Sequence, residues 1–142
     1  MTTFRFPLKR VLDWRHTQLE LEEARYKQQA AVLAELDRAG AEIEGEGIRA
    51  EVQVRKWDPI SGFDLEALSR FRARVKSRQA QVAAQRADCA KKMAGQQKAM
   101  LEARRRCKLL ERLEERKLAE WQAARDRELD ELATESYLAK WK

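Results

Sequence analysis

Asparagine is missing from this 142-residue chain altogether, and glycine and proline occur only five and two times. Gly, Pro, Asn, Asp and Ser make most tight turns, because they tolerate or preset the backbone angles that turns need. A chain so poor in them changes direction rarely, which argues against a compact α/β or all-β domain. Aromatic residues are also scarce at 7%, and the 44% hydrophobic fraction is inflated by alanine. Too little bulky apolar material is left for a thick core, so an enzyme with a deep, dry pocket is not expected. His16 is the only histidine, and the two cysteines, Cys89 and Cys107, lie inside one expected helix. At 1.5 Å per residue they stand roughly 27 Å apart, far beyond disulfide reach. They read as small seam residues of a protein kept in a reducing compartment. A phosphate-cradling glycine loop, a nucleophile in an elbow context and a metal-ligand cluster are all missing. The expectation is therefore no catalytic residue, no metal, no cofactor and no small-molecule substrate.

What remains is mostly Ala, Leu, Glu, Lys, Arg and Gln with 38% charge, the composition of long helices and coiled coils. The first half carries a sustained 3-4 spacing from Leu8 and Leu12 through Leu19, Tyr26, Leu33, Leu36 and Ile43 to Val54 and Trp57. Pro7 suits the first turn of this helix, where a missing N–H costs nothing. The stretch Trp57-Asp58-Pro59-Ile60-Ser61-Gly62-Phe63-Asp64 then breaks the pattern, since the residue before proline avoids helical angles. Asp64 is the expected N-cap of a second helix, with Glu66 near the positive end of its dipole. That helix has its own seam, through Val75, Val82, Cys89, Met93, Met100, Cys107 and Leu110 to Trp121. Beyond Leu110 the spacing blurs, and Leu113, Leu118, Leu129 and Leu132 fall off the strict series.

Two long helices joined by a short linker form an antiparallel hairpin. The fold class expected is all-α: one coiled-coil hairpin over 1–142, with helix 1 about 5–57, a hinge at 58–63 and helix 2 about 64–138. Folding near residue 60 sets Gly40 opposite Val82, Gly47 opposite Val75 and Tyr26 near Gly95, so that large meets small. Alternatively, Gly40, Gly45 and Gly47 mark a flexible break in helix 1. Helix 2 outruns helix 1 by roughly 20–25 residues at one residue per 1.5 Å. That overhang carries Leu118, Trp121, Leu129, Leu132, Tyr137, Leu138 and Trp141. A lone helix with so much apolar surface is marginal in water and reads as a binding element, for a partner or for a second copy.

The net charge of +6 is unevenly placed: residues 1–57 are neutral, 58–69 carry −3, 70–117 carry +11, and 118–142 carry −2. A basic stretch attracts acidic protein, nucleic acid or anionic lipid, and a solvated helix face has the same composition. The opening residues have no apolar run typical of a cleavable signal, and no uncharged run of spanning length occurs anywhere.

Three segments carry a family resemblance. The opening Phe4-Arg5-Phe6-Pro7-Leu8-Lys9-Arg10-Val11-Leu12-Asp13-Trp14-Arg15 resembles the start of flagellar FliJ proteins. Leu110-Glu111-Arg112-Leu113-Glu114-Glu115-Arg116-Lys117 is similar to the charged Leu-Glu segment of that family, and Leu129-Asp130-Glu131-Leu132-Ala133 to its terminal element. The resemblance implies a non-enzymatic antiparallel coiled coil like the central stalk of rotary ATPases. Its partners would be the hexameric flagellar export ATPase, the membrane export gate and export chaperones for late substrates. Such a protein is cytoplasmic and peripherally associated with the cytoplasmic face of the inner membrane at the flagellar base. Carried onto this chain, the ring-binding residues are Leu118, Trp121, Leu129, Asp130, Glu131 and Leu132. The gate-binding residues are Val54, Phe71, Val75 and Val82, which fit equally well as packing residues of the seam.

Two other readings stand beside this one. The first is the equivalent stalk of a virulence-type injectisome, which shares the hairpin and differs chiefly in its partners. The second is a basic coiled coil binding nucleic acid through 70–117. Against the second, glutamates on helix 1 dilute the basic residues and no aromatic-studded groove accompanies them. A membrane-surface role is disfavoured because helix 1 is charge-balanced rather than cationic.

Overall fold

The computed structural model describes residues 3–141. It contains two helices, α1 (Lys9–Arg55, 47 residues) and α2 (Gly62–Ala139, 78 residues), with no strand among the described residues. The chain is an all-α hairpin whose second helix is the longer, as its composition and spacing lead one to expect. α1 passes through Gly40, Gly45 and Gly47 unbroken, so the alternative of a break there is not realised.

The helix ends differ in detail from the sequence reading. Pro7 lies in a turn ahead of α1 rather than in its first turn, because the Phe6 carbonyl accepts the Lys9 N–H (3.1 Å) and closes the chain there. α1 ends in a tightened turn, with Lys56 N–H donating to Gln53 O (3.1 Å) and Trp57 N–H to Val54 O (3.0 Å). Asp64 is not the N-cap of α2. Ser61 is: its Oγ accepts the Asp64 N–H (3.1 Å), while the Asp64 carboxylate accepts the Ser61 N–H (3.2 Å). This reciprocal capping box satisfies two otherwise orphaned donors and starts the helix two residues earlier than expected.

The chain divides into two compact units, Glu23–Lys98 and the pair Met1–Glu22 with Ala99–Lys142, each holding a length of both helices. Within Glu23–Lys98 the seam buries Ile43, Leu68 and Cys89. A Cβ added at Gly40 would lie 3.7 Å from Val82 Cγ1, and one at Gly47 would lie 3.4 Å from Val75 Cγ1. The expected glycine–valine pairing is therefore present. The pairing of Tyr26 with Gly95 is not: Gly95 is exposed and a Cβ there would meet nothing within 4 Å. Ion pairs flank the seam: Arg78 Nη1 donates to Glu46 Oε2 (3.0 Å), and Arg86 donates to Asp37. They are exposed and fix register more than they add stability.

Within the second unit, Leu12 and Cys107 are the most buried side chains among the described residues, each 2% exposed, and Phe6 is buried with them. Lys9 Nζ lies 3.7 Å from Glu114, and His16 Nε2 lies 2.8 Å from Glu111 Oε1. Leu113 and Leu118, which fall off the strict heptad, are nevertheless half-buried here. In this part of the molecule Phe4 and Phe6, ahead of α1, add apolar surface that a count of helix seams leaves out.

These glycines make opposite predictions. Gly95→Ala should stabilise the fold by about 1 kcal/mol through helix propensity alone, raising the thermal midpoint followed by circular dichroism. Gly47→Leu should lower the midpoint, because atoms beyond its Cβ run into Val75, an overpacking cost of about 1–3 kcal/mol.

Candidate functional site

Two surfaces hold the candidate residues, one in each unit. The first is the end of α2. Leu118 and Trp121 are half-buried rather than free, which corrects their placement in an unpartnered overhang. The Phe4 ring lies 6.0 Å from Trp121, centroid to centroid and tilted by 52°, and the Arg125 guanidinium sits 5.5 Å from the indole centroid. The ring contact anchors the residues ahead of α1 onto α2, while the cation–π contact lies within α2. From residue 122 to 141 every side chain is exposed. Leu129, Asp130, Glu131 and Leu132 are therefore gathered on an open helix, while Leu118 and Trp121 belong to the covered part. Thr134 Oγ1 donates to the Asp130 carbonyl (2.8 Å), a local helix bond. Near the end, Tyr137 and Trp141 form a tilted ring pair at 6.1 Å, and Trp141 is 76% exposed.

The second surface lies beside the connection between the helices. Val54, Phe71, Val75 and Val82 are all half-buried in the seam. Val54 and Phe71 line a shallow apolar groove with Ala50, Trp57, Leu68 and Arg74. Phe71 also lines the next groove along, with Val75, Gly47 and Ile48. Three of the four residues are thus contiguous, whereas Val82 stands apart on Gly40 and lines neither groove. Leu68, buried between Phe71 and the connection, escaped the sequence reading. The 3-4 spacing Leu68-Phe71-Val75 is the signal that points to it.

The strongest electrostatic feature lies here too. Arg72 grips Glu51 with two hydrogen bonds, from Nε to one carboxylate oxygen and from Nη2 to the other (2.7 Å). The Arg72 hydrogen bond holds the Glu51 carboxyl below its ordinary value, against an opposing push from desolvation and with help from the charges of Arg72 and Arg55. Glu51 in turn raises the Arg72 pKa. Among the described residues no group of three or more His, Cys, Asp or Glu side chains could hold a metal ion. No helix among them is long and apolar enough to cross a membrane.

No protein-family model matches this chain, and no curated protein or solved structure matches it either.

Two measurements follow from this geometry. Because folding depresses the Glu51 pKa, its contribution to stability is present above the ordinary carboxylate range. It is lost as pH falls through the folded-state value. The thermal midpoint of Glu51→Gln should therefore lie below that of the parent at neutral pH and converge with it in acid. In a background where Trp14, Trp57 and Trp141 are replaced by Phe, Phe4→Ala should red-shift Trp121 emission and raise its quenching by acrylamide. The lost ring contact corresponds to about 0.5–1.5 kcal/mol.

Proposed function

We propose that this chain is a non-enzymatic coiled-coil component of the flagellar type III export apparatus. It engages the hexameric export ATPase through the end of α2, couples the ATPase to the membrane export gate, and escorts chaperones of late substrates. The observation that carries this reading is the open helix of residues 122–141, which keeps Leu129, Leu132, Tyr137, Leu138 and Trp141 exposed. An isolated helix with this much apolar surface gains its stability from packing against something else. Its intervening acids, Asp130 and Glu131, favour a partner surface that is apolar with basic edges.

The hairpin with its longer second helix supports the same reading, as do the three resembling segments at the start, late in α2 and in the tail. The ring-facing residues proposed are Leu129, Asp130, Glu131 and Leu132, with Leu118 and Trp121 supporting the helix from its covered part. For the gate, the proposed contact is the contiguous set Val54, Phe71 and Val75, with Val82 acting by packing. The proposed location is the cytoplasmic face of the inner membrane at the flagellar base.

The test is a truncation placed after Gln122, which keeps the Phe4–Trp121 contact and both buried seams. The full-length protein should raise ATP hydrolysis by the cognate flagellar export ATPase. The truncated one, with its thermal midpoint within a few degrees of the parent, should lose that stimulation. Undiminished stimulation by the truncated protein overturns the assignment of the tail.

A further inference from the structure

In the unit that holds Phe4 and Trp121, a second apolar face lies outside both proposed contacts. Val11, Trp14 and Leu21 of α1 are 42%, 52% and 43% exposed, and Leu109 of α2 is 54% exposed. Val11, Trp14, Gln18 and Leu21 follow one another at 3-4 spacing, a stripe along one side of the helix. Ala99, Glu102, Arg106 and Leu109 do the same on α2. The two stripes meet along a shallow groove lined by Trp14, Gln18, Ala99, Ala103 and Arg106, with the Arg15 guanidinium 4.7 Å from the indole centroid. Glu22 and Glu102 also line it, and neither carboxylate is free. The margin of the groove is basic. Residues 99–117 hold seven basic and four acidic side chains. Of those acids, Glu102 is paired with Arg105 and Arg106, Glu111 with His16 and Glu114 with Lys9. Lys108, Arg112 and Arg116 have no hydrogen-bond or ion-pair partner among the described residues. The open helix of residues 122–141 is the converse, with five acids against three bases. Its Glu128, Glu131 and Glu135 stand in no ion pair among the described residues.

We propose that the Trp14 groove is the docking site for the tail of a second copy of this chain, giving a reciprocal antiparallel dimer. α2 runs unbroken to Ala139, so a tail cannot turn back onto its own groove. Leu129 and Leu132 of one copy enter beside Trp14, Leu21 and Leu109 of the other, and the acids that flank them meet the basic margin. Charge selects this occupant. Two such grooves face to face would set base against base, and two tails face to face would set acid against acid. The spacing agrees as well. An antiparallel alignment that sets Glu128 beside Lys108 also sets Glu131 beside Arg105 and Glu120 beside Arg116, because the intervals in the two trios are equal. At 100° per residue each trio lies within about 80° of arc, so both present their charges to one side. The same alignment brings Leu129 and Leu132 level with Cys107 and Arg104, midway along the groove. A two-fold axis then covers both tails at once. This proposal does not rest on the export reading. Where both hold, the ATPase ring and the second copy compete for one tail.

The experiment is sedimentation velocity on the purified full chain at increasing concentration, in low and high salt. The sedimentation coefficient should rise from that of a monomer to that of a dimer, and salt should loosen the dimer. The double variant Trp14→Ser, Leu109→Ser should dimerise about tenfold more weakly or worse, with an unchanged circular dichroism spectrum because both side chains are exposed. Trp14→Phe, which keeps a ring, should retain most of the association. Truncation after Gln122 should leave a monomer. Arg105→Glu with Lys108→Glu should weaken the dimer, and adding Glu128→Lys with Glu131→Lys to that chain should restore it. A full chain that stays monomeric at every concentration overturns the proposal. Dimerisation that survives Trp14→Ser, Leu109→Ser overturns it too, since the tails would then pair with each other. No export component is present, and the Trp14→Ser, Leu109→Ser chain keeps its whole tail. Its stimulation of the ATPase therefore reports on the export reading separately.

Discussion

Each helix of this chain offers its neighbour only a stripe of apolar side chains, and a stripe excludes water only where the two backbones approach closely. That requirement governs the rest of the structure. It explains why glycines stand against valines at Gly40–Val82 and Gly47–Val75, positions where a larger residue would hold the helices apart. It also explains why two thiols, Cys89 and Cys107, are among the most buried groups. A thiol is small, adaptable and weakly polar, which suits a narrow seam better than a large ring does. Cys89 directs its Sγ at the Gln29 carbonyl (3.6 Å), a weak bond compatible with burial.

A seam this thin leaves most side chains in water, and the polar groups along it act mainly as specifiers. The pairs Glu51–Arg72, Glu46–Arg78 and Asp37–Arg86 join residues whose numbers fall on α1 as they rise on α2. Sliding one helix by a turn would break all three. Exposed pairs contribute little free energy individually, yet a set that must form together selects one register among several of similar hydrophobic quality. No polar or charged side chain is buried among the described residues. Specificity here comes from packing size and from charges at the margin of the seam.

Where the seam stops, apolar surface does not. In one unit it continues as the open helix of residues 122–141, and in the other as the exposed rings of the connection. The chemistry of the two differs. The tail mixes leucines and aromatics with acids on a regular helix, which suits a protein groove with basic edges. The connection sets exposed rings on a turn, and its segment 58–69 holds three acids and no base. The proposed ATPase contact draws on the first of these, and the proposed gate contact lies beside the second.

The sequence by itself determined that the chain is two helices with one break. Turn residues are too scarce for more, and a 3-4 spacing sustained over so many turns has few other outcomes. It also determined the glycine–valine register, because an antiparallel fold at a known break fixes which residues meet. Only the tertiary structure decided where the covered surface ends. Phe4 and Phe6 lie ahead of any helix and have no periodicity to betray them, yet Phe6 is buried and the Phe4 ring lies against Trp121, which brings Trp121 under cover and moves the start of the free tail. The choice of Ser61 over Asp64 as the cap was decided at the same level, because either side chain can cap and the course of the backbone selects between them. Gly95 was misplaced for a related reason. A linear count treats every facing pair as equivalent, whereas rotation of the helix about its axis turns that glycine toward water.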